Sequence, residues 1–459
     1  MASEAETLHV NIDASNIIGE MKAIHGSNKG PKPSGRIDLT IFHKDIGFPF
    51  LRSHDTHGGL VDIHTIFRNF HDDPNDPGSY YFTKTDDWVT SVKNTGAQVF
   101  YRLGESIEHT ERKYHTHPPE DFQKWADICV GIIKHYNQGW ANGFHHNIKY
   151  WEIWNEPDLG PNMWTGSFEE YYRLYKTAAG TIKSEVPDVF IGGPAAAGVG
   201  NFKEGNFVEK PFVKGFLEHC KQYDIPLDFF SWHRYAYEPQ IIVDVAAAVR
   251  QMLDKYGYED TPSFLTEWGF APDGNWEVLQ DGTPDEKAAW FAEMSGMKGA
   301  AFAAYVLMEL QNIPVDMTHF YHASVGNFGT FNRYGKPMKN YYALKAFARL
   351  AEMPLRIESS GDILSKFAVC SGIDRDNNKI VILTSNFDAL QKKIIFHVQN
   401  LPWEGPISLQ LSTLSSERNL ETVLTQEFKS GDIYFSTELN MPELHLFELK
   451  SVSDKLISD

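Results

Sequence analysis

The sequence predicts an α/β fold, a (β/α)₈ TIM barrel followed by an accessory C-terminal β-sandwich, on three observations. Short apolar runs alternate with amphipathic stretches of helical length through residues 21–353. Beyond residue 354 only strand-like segments joined by turn residues follow. The chain of 459 residues is also longer than a single hydrophobic core usually fills. We therefore expect one large domain and one smaller domain.

Eight apolar runs are candidate barrel strands. They are residues 21–27, 48–55, 97–106, 148–157, 189–196, 228–236, 262–270 and 300–309. Helical patterns lie between several of them, at residues 121–137, 168–185, 243–257 and 283–297. Continuous apolar strands need cover on both faces, as in a closed barrel. A doubly wound open sheet is the alternative, but the segment "HGSNKGPKPSG" does not match a glycine-rich phosphate loop.

The chain divides into three segments. Residues 21–353 form the predicted catalytic barrel, and residues 354–459 form the predicted sandwich. Residues 1–20 contain the strand-like "TLHVNID" at 7–13, too early for the barrel, so we expect this N-terminal strand to join the sandwich.

The composition excludes several classes of partner. Lys and Arg total 42 against 61 Asp and Glu, which gives a net charge of −19 and argues against nucleic acid and anionic membranes. The three cysteines are widely spaced in apolar contexts and are expected to be buried free thiols. No run has the length of a membrane span, and "MASEAETLHV" lacks the apolar core of a secretory signal. The compartment, cytoplasmic or exported, and the oligomeric state stay open.

Reactive side chains follow the predicted strands, at the end where barrel enzymes place their sites. They are Arg52, His54 and Asp55 after the second strand, Arg102 and Glu105 after the third, Asn155 and Glu156 after the fourth, His233 and Tyr235 after the sixth, and Glu267 and Trp268 after the seventh. So many charged and imidazole groups exceed what a structural rim requires. We expect them to converge on a catalytic pocket.

Glu156 and Glu267 each close an apolar strand among aromatic residues, in "YWEIWNEP" and "SFLTEWGF". Desolvation raises the pKa of such a carboxyl group, which suits a proton donor, whereas a carboxylate held ionised by Arg or Tyr suits a nucleophile. Cleavage of a glycosidic bond needs one carboxyl group in each role. The alternative is that one or both glutamates are ion-paired core residues.

The motif "WEIWNEPD", followed by "TEWG", resembles the pattern of clan A glycoside hydrolases, with Asn-Glu after strand four and Glu after strand seven. The segments "LRSHD", "SWHRY" and "FGTFNRYGKPMKNYYALKAFARL", with the trailing sandwich, resemble family 39 in particular. That family includes β-xylosidases and α-L-iduronidases. The resemblance covers nearly the whole chain.

The resemblance implies that Glu156 is the general acid/base, Glu267 the nucleophile, and Asn155 the ligand of the sugar 2-hydroxyl group. His233 and Tyr235 are two residues apart and share one strand face, so one of them is expected to orient Glu267. Arg52 and His54 also share a face. We expect them to contribute to the surroundings of the nucleophile and to sugar binding.

Further candidates lie in the loops. Trp164, Trp276 and Phe328 are expected to form a stacking wall, and Glu309, at the end of the eighth predicted strand, either touches substrate or pairs with a cation at the rim. The histidine-rich loops at 109–117 and 143–147 lack an obvious ligand set, so no metal is predicted. No cofactor is predicted either, because side chains supply both the proton and the nucleophile.

The sequence therefore predicts a retaining exo-glycosidase acting on an oligosaccharide or glycoside with a terminal, β-linked neutral sugar. The resemblance to family 39 favours a xyloside, with a galactoside or arabinoside close behind. Three alternatives remain: a uronidase similar to α-L-iduronidases, which would need a cation in the pocket, an inactive carbohydrate-binding barrel, and a metal-dependent hydrolase.

Overall fold

The computed structural model describes residues 7–32 and 37–452, so residues 1–6 and 453–459 of the predicted sandwich segments lie outside the described part. The strands are β1 Thr7–Glu20, β2 Gly26–Asn28, β3 Phe50–Arg52, β4 Gln98–Leu103, β5 Tyr150–Ile153, β6 Phe190–Ala196, β7 Gly200–Lys203, β8 Asn206–Glu209, β9 Phe229–Ala236, β10 Ser263–Phe270, β11 Met317–Phe320, β12 Leu355–Ser360, β13 Phe367–Asp374, β14 Lys379–Asn386, β15 Lys393–Gln399, β16 Ile407–Leu414, β17 Asn419–Phe428, β18 Ile433–Glu438 and β19 Glu443–Ser451. The helices are α1 Thr40–Ile46, α2 Ile63–Ile66, α3 Thr83–Lys93, α4 Phe122–Gln138, α5 Phe168–Glu185, α6 Pro211–Gln222, α7 Pro239–Lys255, α8 Glu277–Asp281, α9 Pro284–Ser295, α10 Met297–Glu309 and α11 Lys339–Ala351.

Eight parallel strands close into a barrel in the order β2-β3-β4-β5-β6-β9-β10-β11, which confirms the predicted fold class. An aromatic layer of Phe100, Phe229 and Phe264, with Met317, fills the interior toward the amino ends of the strands. The interior toward the carboxyl ends is polar. The apolar plug closes one end of the barrel, so the chemistry is confined to the other.

The predicted eighth strand at 300–309 is wrong. Those residues lie in α10, and the eighth strand is β11. Ten of the thirteen residues of α10 are buried, because the helix lies between the barrel and the C-terminal sheet. A helix buried on all sides has no polar stripe, so its pattern resembles that of a buried strand, although its alanines, Leu307 and Met308 favour a helix.

The C-terminal domain is one nine-stranded sheet, in the order β17-β16-β19-β14-β13-β12-β1-β15-β18. It curls upon itself as a sandwich, so that Phe435 of β18 packs 5.2 Å from Phe447 of β19. The N-terminal β1 lies within this sheet, antiparallel to β12 and parallel to β15. A hydrogen bond of 2.7 Å from Ser385 Oγ to the Ala301 carbonyl joins the sheet to α10.

Within the described part of the chain, no helix is long and apolar enough to cross a membrane.

Candidate active site

Arg52, at the end of β3, organises the polar half of the barrel and is completely buried. Its Nε donates to Glu152 Oε2 at 2.7 Å and its Nη1 to Asn28 Oδ1 at 3.0 Å. Its Nη2 donates to Asn155 Oδ1 at 2.6 Å. A buried guanidinium group needs such partners, since an unpaired charge in this interior would be costly. The network fixes Asn155 at the mouth of the barrel.

The turn after β5 directs Asn155 and Glu156 into the mouth. Trp154 and Glu156 both have positive φ angles, of 69° and 46°. Such strained backbone in residues other than glycine is typical of functional sites, where surrounding bonds must hold it. Here the Trp154 N–H donates to the Leu103 carbonyl at 2.7 Å and the Glu156 N–H to the Ala195 carbonyl at 2.9 Å. The turn is therefore held between β4 and β6.

Asn155 has a free donor. Its Oδ1 accepts from Arg52, which fixes the orientation of the amide, and its buried Nδ2 has no hydrogen-bond partner among the described residues. An unpaired buried amide N–H is rare in folded proteins. Asn155 is therefore placed to donate to a hydroxyl group of a bound ligand.

Glu156 lies beside an imidazole. His233 Nδ1 is 2.8 Å from Glu156 Oε1, and His233 Nε2 is 3.2 Å from Thr266 Oγ1. Burial raises the pKa of Glu156 to about 8, and the Asp158 carboxylate adds to the rise. Burial likewise lowers the pKa of His233 to about 4. A protonated Glu156 beside a neutral imidazole is therefore the expected state at neutral pH.

Glu267 has different neighbours. Tyr235 donates its hydroxyl to Glu267 Oε1 at 2.6 Å, and Arg52 Nη1 lies 3.6 Å from Oε2. Burial raises the pKa of Glu267 to about 7, while Arg52 and the Tyr235 hydrogen bond act to lower it. Glu267 is therefore the more acidic of the two carboxyl groups. Of the two candidates on β9, Tyr235 donates to Glu267, while His233 Nδ1 lies 2.8 Å from Glu156 and 3.9 Å from Glu267.

The two carboxyl groups face one another. One oxygen of Glu156, one of Glu267 and a ring nitrogen of His233 all lie within 4.8 Å of each other. The two glutamates are 111 residues apart in the chain, and the barrel brings them together. This arrangement places two carboxyl groups with different neighbours beside one imidazole.

His54 and Asp55 continue the mouth beside Glu267. His54 Nε2 lies 3.5 Å from Asp55 Oδ1 and 4.0 Å from Glu267 Oε2. Tyr321, which follows β11, donates its hydroxyl to Asp55 Oδ2 at 2.9 Å. Four residues of the site were not predicted from the sequence: Tyr321, Thr266, Glu152 and Lys29. Lys29 follows the strand segment "GSN" directly, and this position could have marked it as a site residue. If the eighth strand had been assigned correctly, Tyr321 would have been found at its carboxyl end.

Three predicted substrate-binding residues lie outside the candidate active site: Trp268, Trp164 and Glu309. Trp268 has no exposed surface and packs edge-on against Phe320, because it points away from the strand face that carries Glu267. Trp164 is 1% exposed, and its Nε1 donates to the Ser167 carbonyl. Neither ring presents a face to a sugar, so the stacking expected of Trp164 and the place in the pocket expected of Trp268 are both wrong.

Glu309 ends α10 instead of a strand. The next residue, Leu310, accepts a 2.6 Å hydrogen bond at its carbonyl from Lys22 Nζ, and Lys22 precedes β2. Glu309 therefore lies toward the amino end of the barrel, away from the carboxyl pair. Its placement at the rim of the site is wrong because the eighth strand was assigned to the wrong segment.

Trp276 and Phe328 do stand at the mouth. Their rings are nearly parallel, 6.4 Å apart, and the Trp276 ring meets the Tyr235 ring edge-on at 5.2 Å. Trp276 is 39% exposed. Its ring offers an apolar surface beside Tyr235, the residue that donates a hydrogen bond to Glu267.

A second group of side chains lies near the end of β4, and it contains Arg102 and Glu105, which were expected in the catalytic pocket, together with Asp62 and His64, which were not predicted. Asp62, His64 and Glu105 have potential metal-ligating atoms within 4.8 Å of one another, and the His115 ring stacks 3.6 Å from His64. However, Arg102 Nη2 donates to Asp62 at 2.7 Å, and His64 bonds to Glu105. A guanidinium group at this distance opposes a metal cation. The contacts describe an ion-pair network.

A TIM barrel whose mouth pairs a protonated carboxyl group with a more acidic one has the fold and site of a glycoside hydrolase. The chain belongs to glycosyl hydrolases family 39, whose pattern it matches over residues 28–398. It is therefore a glycoside hydrolase.

Several known proteins are similar to this chain at low sequence identity. A β-xylosidase from Geobacillus stearothermophilus is 22% identical over 91% of this chain and 89% of its own length. A glucosidase structure from Croceicoccus marinus has a TM-score of 0.83 at 24% identity, covering 97% of this chain and 100% of that one. A monomeric β-xylosidase structure from Caulobacter crescentus has a TM-score of 0.74 at 17% identity, with coverages of 97% and 100%.

Proposed function

We propose that this glycoside hydrolase is a retaining exo-enzyme that removes a terminal β-linked neutral sugar, with a β-xyloside as the favoured substrate. Glu267 serves as the nucleophile and Glu156 as the general acid/base. The observation that carries the proposal is the close approach of the two carboxyl groups, whose nearest ligating oxygens lie within 4.8 Å. Retaining enzymes hold their carboxyl groups about 5 to 5.5 Å apart, whereas inverting enzymes need about 6.5 Å or more to admit a water molecule.

The surroundings of the two glutamates support the division of roles. A nucleophile must be ionised, and Glu267 has the Tyr235 hydroxyl and the Arg52 guanidinium group beside it. A general acid must hold its proton, and burial raises the pKa of Glu156 to about 8. The pair therefore has the order of acidity that double displacement requires.

The reaction then proceeds in two balanced steps. A Glu267 oxygen bonds to the anomeric carbon as the bond to the leaving oxygen breaks, and Glu156 gives that oxygen its proton. Water next attacks the anomeric carbon and Glu156 takes a proton from it, which releases the sugar and restores the Glu267 carboxylate. Asn155 Nδ2, whose partner Oδ1 is fixed by Arg52, donates to the sugar 2-hydroxyl group during both steps.

The choice of a xyloside rests on relatives. The β-xylosidases from Geobacillus stearothermophilus and Caldicellulosiruptor saccharolyticus match 91% and 76% of this chain. The identities are 22% and 23%, so the sugar is the part of the proposal that most needs measurement. The test must include other neutral sugars and a uronide.

The experiment is an assay of 4-nitrophenyl β-xyloside, β-galactoside, β-glucoside, α-L-arabinofuranoside and β-glucuronide with wild type, Glu156→Ala and Glu267→Ala. We expect the xyloside to be cleaved best and both substitutions to reduce kcat at least roughly 100-fold. Proton NMR of the first product should show the β-anomer. Initial release of the α-anomer, or full activity of either variant, would contradict the proposal, and an inactive wild type would favour a carbohydrate-binding role.

A further inference from the structure

Lys29 follows β2 at the mouth of the barrel and has no ion-pair partner among the described residues. Its Nζ lies 5.3 Å from the centre of the Tyr321 ring. No carboxylate oxygen of residues 7–32 or 37–452 comes within 4.0 Å of it. The side chain is nevertheless partly buried, and burial lowers its pKa although Asp55 and Glu267 oppose the fall. A partly buried ammonium group with three donors is poorly satisfied by these contacts.

The cavity beside Lys29 contains further unpaired polar groups. It has a volume of about 120 Å³ and is lined by Lys29, Asp55, Thr56 and Trp88 among others. Thr56 Oγ1 and Trp88 Nε1 are buried and have no hydrogen-bond partner among the described residues. Two unpaired buried groups on one small cavity are unusual in a folded protein. They indicate that a polar ligand group completes the site.

Asp55 supplies an acceptor on the same cavity. Its Oδ2 accepts from the Tyr321 hydroxyl at 2.9 Å, and its Oδ1 accepts from the Ile107 N–H at 3.2 Å. These bonds fix the carboxylate while leaving lone pairs available, and 18% of its side chain remains exposed. Lys29 and Asp55 therefore offer a donor and a fixed acceptor to one ligand.

The position of this pair relative to the reacting groups indicates which part of a sugar it meets. The Glu156 N–H is bonded to Ala195 of β6, and β2 lies opposite β6 in the ring of eight strands. The leaving oxygen must lie beside Glu156, because Glu156 gives it a proton. The ring of the bound sugar then extends from Glu267 toward β2 and β3, so its far side faces Lys29 and Asp55.

We propose that Lys29 and Asp55 determine the sugar specificity by binding the adjacent C3 and C4 hydroxyl groups of the terminal sugar, with Lys29 donating and Asp55 accepting. This inference rests on the proposed function. The cavity that they line receives the side of the sugar ring that carries these two hydroxyl groups.

The competing account is that Lys29 acts only through its charge on Glu267. Both accounts predict that Lys29→Met lowers activity, so the loss of activity alone does not distinguish them. They differ in their response to the substrate. A residue that binds a hydroxyl group loses its importance when that hydroxyl is absent, whereas a residue that tunes the nucleophile affects all substrates equally.

The test compares wild type with Lys29→Met on 4-nitrophenyl β-xyloside and on its 3-deoxy and 4-deoxy analogues, or on the matching analogues of whichever neutral glycoside the wild type cleaves. We expect Lys29→Met to lower kcat/KM roughly 10- to 100-fold on the parent glycoside, as for loss of a charge-assisted hydrogen bond. On at least one deoxy analogue the two enzymes should differ less than about threefold. Lys44→Met is the control and should leave kcat/KM unchanged, because Lys44 is an exposed lysine on α1, outside the cavity.

An equal loss on the parent and both deoxy analogues would overturn the inference while leaving the proposed function intact. So would an unchanged kcat/KM for Lys29→Met. A wild type that cleaves no glycoside would instead remove the proposed function and this inference with it. Thermal unfolding of each variant shows whether folding is affected. Asp55→Asn is a second variant, and we expect the same selective loss for it on the same substrates.

Discussion

Tyr235 donates a 2.6 Å hydrogen bond to Glu267, although the raised pKa of the carboxyl group shows that burial opposes its ionisation. The bond therefore acts against desolvation at the proposed nucleophile. His233, two residues earlier on the same strand face, contacts Glu156. One face of β9 thus serves both carboxyl groups, with a hydroxyl donor for one and an imidazole for the other.

Tyr235→Phe tests the first of these contacts. The change keeps the ring and removes the hydrogen bond, so the Glu267 carboxylate is less stabilised and the pKa of Glu267 should rise. We expect kcat/KM to fall roughly 10- to 100-fold, with the acidic limb of the pH profile displaced to higher pH. Tyr237→Phe, at an exposed position just after β9, is the control and should retain full activity. A Tyr235→Phe enzyme with an unchanged acidic limb would contradict this role.

The pH dependence of kcat/KM follows from the two glutamates. Below the pKa of Glu267, about 7, the nucleophile gains a proton and activity falls. Above the pKa of Glu156, about 8, the acid loses its proton and activity falls again. We therefore expect a bell-shaped profile with its maximum at neutral to mildly alkaline pH, measured with a 4-nitrophenyl glycoside in a stopped assay. A maximum below pH 5 would be inconsistent with these surroundings.

The leaving group should decide how much Glu156 matters. In Glu156→Ala, a 2,4-dinitrophenyl glycoside needs no protonation of its leaving oxygen, so its first step should stay close to the wild-type rate while a poorly activated glycoside loses most of its rate. The alkaline limb should also disappear. The measurement is a comparison of kcat/KM across leaving groups of different pKa. Equal losses on all of them would exclude Glu156 as the general acid.

Arg52 links stability to the site. Arg52→Met leaves the buried Glu152 carboxylate without its partner, so we expect the free energy of unfolding to fall by about 3 to 5 kcal/mol. Arg52→Met with Glu152→Gln should recover much of that loss, because the unpaired charge is gone. Neither variant should be active, since Asn155 loses the donor that fixes it. Denaturant unfolding and kcat/KM measure the two effects separately, and an additive loss of stability in the double variant would refute the pairing.

The sequence predicted most of the barrel because buried parallel strands and amphipathic helices have different periods. It failed at α10, where burial on all sides removes the polar stripe that identifies a surface helix. That one error displaced Glu309 from its true position and concealed Tyr321. In the sandwich, β17 is largely exposed and therefore has no apolar alternation by which a sequence identifies a strand.

The candidate site was predictable where strand ends carry reactive groups, as for Arg52, Asn155, Glu156 and Glu267. The sequence did not indicate which carboxyl group His233 contacts and which one Tyr235 contacts. Both residues lie on the same face of the strand, so strand alternation does not distinguish them. Only the side chains that face them in the fold do. Trp268 shows that a residue next to a reactive group in the chain need not lie in the site. It adjoins Glu267 in the chain, but the alternation of the strand turns it into the core.

The most direct test of the central claim is the capture of the covalent intermediate. A 2-deoxy-2-fluoro xyloside with a dinitrophenyl leaving group slows the second step more than the first, so the sugar should accumulate on the nucleophile. Mass spectrometry of the digested protein should then find the fluorosugar on the peptide that contains Glu267, and Glu267→Ala should carry none. A label on Glu156, or an active enzyme that is inhibited without any covalent label, would contradict the account.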